Sequence, residues 1–415
     1  MSNNPSELNK TSKPSLSVLF GAAFLMATSA IGPGFMTQTS KFTAEQGAKL
    51  ILVILLVICM DIVAQMNIWS TICVANKRAQ DIANTMLPGL GVFIAILVAI
   101  GGLAFNVGNC GGVALGFNAM FGIPEKIGSV IAGALGILIF ANKSAKTIMD
   151  KVSTALAAII LGTILVVAII SQPPVGDVVG SFSQIGEIPS MFTCITTLLG
   201  GSCGGYIAFS GAHRLMDAGT CGAENVGNAR RSVLMGCCTS GVVRILLFLA
   251  VLGTCTAGGV WVAENADAIA NAGNPAAEAF RLAAGTIGYK MFGLCLFSAG
   301  ISSVIGAAFT SVSFLKTLHP FIGKNEKWFV IGFITFSTII AATLGNAGKL
   351  LVLAGAVNGL IPITLGTMLL ASRNKKIVGE DYKHPMWMTV LGVIVFVLAA
   401  YIGIKAVPGI LNLFK

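Results

Sequence analysis

Ser29-Ala30-Ile31-Gly32-Pro33-Gly34-Phe35-Met36-Thr37-Gln38-Thr39-Ser40 interrupts an apolar run that begins near residue 16. A helix that crosses a bilayer must keep its backbone hydrogen bonds within itself, because lipid offers no partner for an orphaned N–H or C=O. Glycine and proline together open such a helix, since proline lacks the N–H and its ring clashes with the preceding turn. The opening survives only where protein or a water-filled cavity meets the freed groups. A second break, Gly200-Gly201-Ser202-Cys203-Gly204-Gly205-Tyr206, falls in a later apolar run, and both breaks end in glycine followed by an aromatic residue. A single glycine pair serves close helix packing. Two matched breaks, one containing proline, point instead to a solute site at the bilayer midplane between two inverted repeats.

The composition places the chain in lipid. Of its 415 residues, 55% are hydrophobic and 10% charged, and the mean hydropathy is +0.88, far outside the range of soluble domains. Runs approaching the ~20 apolar residues that cross a ~30 Å hydrocarbon core recur eleven times, near 16–39, 47–69, 90–114, 127–141, 152–171, 191–212, 233–257, 289–314, 328–344, 350–370 and 386–404. The expected organisation is an all-α polytopic membrane protein. It has a tail over 1–14, a first repeat of five helices over 15–171, an outer loop over 172–189, a second repeat over 190–372, and a final loop and eleventh helix over 373–415. Residues 1–14 are polar without an apolar core of their own, unlike a cleavable signal, so the first helix is expected to remain in the mature protein.

With the N-terminus in the cytoplasm, 17 basic residues fall inside and eight outside, Arg244 lying within a helix. That asymmetry fits the positive-inside rule and an odd number of spans. The net charge of +10 therefore reflects topology, with no nucleic acid expected as a partner. The ten cysteines contain no Cys-x-x-Cys spacing and mostly sit in apolar runs, as buried thiols do. The expected setting is the cytoplasmic membrane of a bacterium, with lipid and a small-molecule or ion substrate as partners.

The sequence resembles the NRAMP family of divalent-metal transporters over most of residues 16–372. Phe24-Leu25-Met26 through Ile31-Gly32-Pro33-Gly34-Phe35 is similar to the family's first-helix segment, which carries an Asp-Pro-Gly-Asn motif. Phe121-Gly122-Ile123-Pro124 resembles the end of its third helix, and Ala299-Gly300-Ile301-Ser302-Ser303-Val304-Ile305-Gly306 its eighth-helix Ala-Gly-Gln-Ser-Ser-Thr segment. The resemblance implies the LeuT-type fold of five plus five inverted helices and is nearest a divergent bacterial branch. The family's metal ligands do not carry over. Its first-helix Asp aligns with Gly32, its Asn with Phe35, and its sixth-helix Met-Pro-His with Gly204-Gly205-Tyr206. Cys203 is one soft ligand beside them, and carbonyls freed by the breaks remain available to a cation. The family's third-helix acid aligns with Asn109 and its second sixth-helix His with Gly211, which reduces the proton apparatus. His213, His319 and His384 are expected at the surface or the membrane interface.

Two charged residues fall deep within the spans, Asp61 in the second and Arg244 in the seventh. Charges at such depth are costly and mark function by default. The resemblance puts these helices in one four-helix bundle, so an Asp61–Arg244 ion pair is expected. It either holds the bundle together or leaves Arg244 to offer its planar fork to an anionic substrate. Thr37 and Gln38 follow the first break, at a half-helix N-terminus that favours an anion. Asn106, Asn109, Tyr206 and Asn358 are further polar residues expected near the cavity. Ser302 and Ser303 stand where sodium-coupled members of the wider fold use hydroxyls, or else bond their own backbone.

The residues expected to bind substrate are Gly32, Pro33, Gly34, Phe35, Thr37, Gln38, Asn109, Cys203, Gly204, Tyr206 and Asn358. The two glycines are expected to enlarge the site, and Phe35 and Tyr206 to wall it. The expected activity is secondary transport of a small organic anion or amino-acid-like solute, with Na⁺ or H⁺ as coupling ion and no resident cofactor. Divalent-cation transport through carbonyls and hydroxyls is the alternative. A membrane enzyme is a third class, disfavoured because no paired carboxylates or activated nucleophile are evident in the helices. No nucleotide-binding motif is present.

Overall fold

The computed structural model describes residues 30–142, 160–359 and 361–412 together with Ala23, Ala27 and Ala158. The expected tail, most of 16–29, residues 152–157, and Lys10, Lys13, Lys143, Lys146, Lys151 and Lys415 lie outside the described residues. Eight described stretches are long and apolar enough to cross a membrane. The first, Pro33–Ala75, carries both the described half of the first span and the whole second. With Glu125–Ala141 and Ile160–Ile170 they account for the eleven spans. The chain is a multi-pass membrane protein of the LeuT-type inverted-repeat class.

Several boundaries differ from the apolar runs for local reasons. The second span is Leu50–Ala75 rather than 47–69. Gly47, at φ 60°, ends the preceding helix Pro33–Gln46, and Gly47–Lys49 forms a 3-10 turn. At the far end Asn67, Ser70 and Thr71 stay helical because the segment is buried, with Asn67 donating to Met388 O at 3.1 Å. The third span continues to Phe121, where Gly122 takes a left-handed conformation. The seventh begins early, at Val226, so that Arg230 sits on its first turns. The eighth helix, Pro275–Leu315, contains a kink at Ala284 and Gly285, and Asn274 caps its start by accepting from Ala277 N at 3.2 Å. Before it, Thr256–Ala257 and Val260–Trp261 pair as a small antiparallel hairpin.

The tenth span comprises the described helices Ala347–Asn358 and Ile361–Ala371, with a turn at Gly359. The described half of the first helix, Pro33–Gln46, is buried among the second, third, sixth, seventh, eighth and tenth spans. The eleventh, Met386–Asn412, lies at the edge, with Val390, Ile394, Val397 and Ile404 exposed. Such residues are the lipid-facing surface that an apolar span requires.

Candidate functional site

At the first break Gly32 is extended (φ −95°, ψ −180°) and Pro33 opens the next helix at its first position. Proline fits there because that N–H has no helical partner in any case. A side chain at Gly32 would point at a polar corner, its Cβ 3.2 Å from Ser303 Oγ and 3.7 Å from Asn109 Oδ1. Ser303 Oγ and Asn109 Nδ2 are buried and make no hydrogen bond within the protein. The Tyr206 hydroxyl faces the Asn109 side chain. Its ring, 2% exposed, stands edge-on to Phe105 at 5.8 Å. The first, third, sixth and eighth spans thus converge on one corner with unspent polar groups. Buried polar atoms are normally satisfied, so such a cluster is unusual.

The second break is shorter than the glycine-rich sequence suggests. Gly200, Gly201, Ser202 and Cys203 remain in the helix Phe192–Cys203, and only Gly204 to Tyr206 separate it from Ile207–Asp217. Gly204 is extended and Gly205 takes φ 55°, a conformation that disfavours residues with a Cβ. The expectation that Gly204 enlarges the site is corrected. A Cβ there would run into Asn358 O and Gly200 O, and one at Gly205 into Asn358 Oδ1. Asn358 fills the space as a strut, donating through Nδ2 to Gly101 O at 2.9 Å and to Ala354 O at 2.8 Å. It ties the tenth span to the third where the sixth is unwound.

Gln38 has a comparable role on the first helix. Its Nε2 donates to Leu351 O at 2.9 Å, and its amide lies between Gly201 and Gly355. Thr37 Oγ1 and Gln38 Oε1 are buried without a partner. Because the helix starts at Pro33, both residues follow its first turn, and the free amide donors are those of Gly34 and Phe35.

Asp61 and Arg244 do not make the expected direct ion pair, although each is a charged neighbour of the other. Asp61 accepts from Gln65 one turn along its own helix, with Cys203 and Ser202 beside it. Arg244, 1% exposed, donates through Nη1 to Leu198 O at 3.3 Å. Its guanidinium carbon lies 4.1 Å from the centre of the Phe35 ring. The aromatic face and the carbonyl give the cation nearer partners than the carboxylate. Nε and Nη2 remain buried without hydrogen bonds.

Other expected residues fall on both sides of this division. Ser302 Oγ donates to its own helix, at 3.1 Å from Ala299 O and 3.3 Å from Ser298 O, whereas Ser303 does not. Asn106 is used up in part by donating to Ser337 Oγ at 2.8 Å. His213 and His384 are buried rather than superficial. His213 stacks between Phe209 and Phe314. His384 contacts Asn67 Oδ1 at 2.9 Å and Tyr382 OH at 3.0 Å. Burial, with the Arg230 and Arg373 guanidinium groups, pushes His384 down from its ordinary 6.5 to about 4. His319 caps a short helix by accepting from Phe321 N at 3.1 Å. Among the described residues no group of three or more His, Cys, Asp or Glu stands together to hold a metal ion.

Reading the sequence alone missed Gln65 as the partner of Asp61 and the strut role of Asn358. For the second a signal existed. Asn358-Gly359, followed by Pro362, is a turn-like pattern inside an apolar run. For the first the only signal was the i, i+4 spacing, which many helical pairs share.

Comparisons with known proteins extend the geometry. The sequence model of the Nramp family, described as natural resistance-associated macrophage protein-like, matches residues 23–407. A Bacillus subtilis protein called "Uncharacterized membrane protein YcsG" is 50% identical over 391 residues, covering 94% of each chain. The Brucella suis "Divalent metal cation transporter MntH" is 24% identical over 410 residues, covering 94% of this chain and 87% of that protein. Among solved structures, the Eremococcus coleocola manganese transporter with an aromatic bis-isothiourea compound superimposes with a TM-score of 0.72 at 15% identity. That match covers 99% of this chain and 89% of the other.

Proposed function

The chain belongs to the Nramp family of membrane transporters, and from that premise we propose that it carries a small organic anion or amino-acid-like solute in place of a transition metal. The observation that carries this reading is Arg244, a buried cation stacked on Phe35 at the first break with two guanidinium nitrogens unspent. A planar guanidinium matches a carboxylate with two parallel hydrogen bonds. The same fixed positive charge opposes a dication placed against the break. The free amides of Gly34 and Phe35 and the corner of Asn109, Ser303 and Tyr206 supply further polar contacts, and the Phe35 and Phe105 rings supply apolar wall. Pro33, Thr37, Gln38, Cys203, Gly204 and Asn358 frame these groups.

Coupling to Na⁺ or H⁺ completes the reading. Ser303, whose hydroxyl has no partner beside Gly32, is the member of the serine pair suited to a Na⁺ ion. The protein works in the cytoplasmic membrane of a bacterium with its N-terminus inside, and its two repeats occupy 15–171 and 190–372.

A second reading, divalent-cation transport, is favoured by the names of the Brucella relative and of the Eremococcus structure. Its ligands would be carbonyls at the breaks together with Asn109 and Ser303. Melting of the purified protein in detergent with a panel of small carboxylates and amino acids, and separately with Mn²⁺, tests the two. A ligand at 100 times its Kd stabilises by about 2.7 kcal/mol. A shift with a carboxylate that Arg244→Gln removes supports the first reading; a shift with Mn²⁺ alone overturns it.

A further inference from the structure

A second chemical feature stands away from the transport site. Cys73 lies in the last turns of the second span, Leu50–Ala75, and Cys221 lies in the segment between Ile207–Asp217 and the seventh span. The two stretches are laid against each other. Gly222 N donates to Cys73 O at 2.8 Å, and Cys73 Sγ lies 3.6 Å from Gly222 O. The Cys73 and Cys221 side chains are neighbours across this backbone contact, and both residues are buried. Residues 148 positions apart therefore form a preassembled dithiol.

The surroundings give the two sulfurs different parts. Arg230 and Glu224 are the charged groups facing Cys73. Arg230 is held in place by Ser70 Oγ at 3.0 Å and Tyr382 OH at 2.9 Å. Cys221 faces Asp217 and Glu224, and its neighbour Cys73, with burial, pushes its thiol up. With a carboxylate, a guanidinium and a second thiol around it, Cys73 has a neighbour that can resolve an oxidised sulfur, as paired redox cysteines do. Cys59 and Cys238 are exposed, and neither has a described thiol partner.

We propose that Cys73 and Cys221 are a redox-modification site, a dithiol that a peroxide converts reversibly into a disulfide. The Cys73 thiolate attacks one peroxide oxygen, breaking the O–O bond to give a sulfenic acid and hydroxide. The Cys221 sulfur then displaces the sulfenic oxygen. Its proton and the released hydroxyl leave as water, so two thiols and one peroxide give one disulfide and two waters. A small thiol of the glutathione class reverses the step by exchange. In the proposed orientation this end of the second span faces the cytoplasm, where such thiols are abundant. The bond would add a covalent tie to the Gly222–Cys73 backbone hydrogen bond, joining the second span to the segment after the sixth.

The site does not depend on the nature of the cargo, and its test requires none. The full chain in lipid nanodiscs is treated with hydrogen peroxide near stoichiometry, alkylated, digested and read by mass spectrometry. The expected product is a peptide pair joined through Cys73 and Cys221, having lost two hydrogens and separable by dithiothreitol. In Cys221→Ser, Cys73 should instead be trapped as a sulfenic acid by dimedone. Oxidation that falls on Cys59 or Cys238 while Cys73 and Cys221 stay separately alkylatable would overturn the proposal. A Cys221→Ser protein that melts as the parent does yet shows no dimedone adduct would overturn it equally.

Discussion

The first and second breaks look alike in sequence and behave differently in space. Around Gly204 and Gly205 the freed room is taken by Asn358, whose amide is satisfied by Gly101 and Ala354 carbonyls. Around Gly32 the neighbours are Ser303 Oγ and Asn109, with Arg244 on Phe35 nearby, and several of their polar atoms are buried without partners. Helix breakers therefore mark two kinds of place, a joint where backbone is exchanged between helices and a site that keeps donors in reserve. A satisfied buried group contributes about 0.5–1.5 kcal/mol to stability, and an orphan costs about 1–3 kcal/mol unless something supplies its bond. By this difference the proposed reading puts cargo at the first break and a packed joint around Gly204 and Asn358.

The contrast breaks most sharply at Arg244. Losing a buried charged partner costs roughly 2–5 kcal/mol of binding, so Arg244→Gln should weaken carboxylate binding by about 30-fold or more in titration calorimetry. Unchanged affinity would place the anion elsewhere. Next comes Asn358→Ala, which removes the side-chain donor that the Gly101 and Ala354 carbonyls share beyond their own helical bonds. It should destabilise the protein by about 1–3 kcal/mol, read as a lower melting temperature with no solute present. A neutral result would remove the strut from the packed joint.

The neighbouring serines sharpen the comparison at smaller scale. Ser303→Ala removes a buried hydroxyl that bonds nothing within the protein and should raise stability, by up to about 1–3 kcal/mol, while reducing transport. Ser302→Ala removes a hydroxyl bonded only to its own helix and should leave transport intact. Equal transport loss in both would merge the two roles.

The smallest effect concerns His384, remote from both breaks. Its folded value, about 4, lies below the ordinary 6.5, so the unfolded chain binds the extra proton over that interval and stability rises with pH. Melting should therefore improve from about pH 4 to about pH 6.5 less steeply in His384→Gln than in the parent. Parallel profiles would show that another group is responsible.

Much of the architecture was legible in the chain because the spans obey one strong rule, a sufficient apolar run, and Gly32-Pro33-Gly34 breaks it conspicuously. The turn at Gly359 in the tenth span was not, since Asn358-Gly359 and Pro362 sit within residues apolar enough to read as one helix. The Asp61–Arg244 pair failed for a different reason. Sequence places both residues in packed helices, but which side chains meet depends on local competition, here Gln65 for the carboxylate and Phe35 with Leu198 O for the guanidinium. His213 was misread because its burial comes from Phe314, a residue about a hundred positions away that no local pattern announces.

The central claim is that the first break, with Gly32 beside Ser303 and Asn109 and with Phe35 beside Arg244, serves a solute that is not a transition metal. Mn²⁺ uptake into proteoliposomes loaded with a metal-quenched dye tests it most directly, with Gly32→Val as the companion variant. Valine is compatible there because Gly32 is already extended ahead of a proline. The account predicts uptake no faster than in protein-free vesicles, before and after the substitution. Saturable Mn²⁺ uptake that Gly32→Val abolishes would contradict it and return the site to divalent metals.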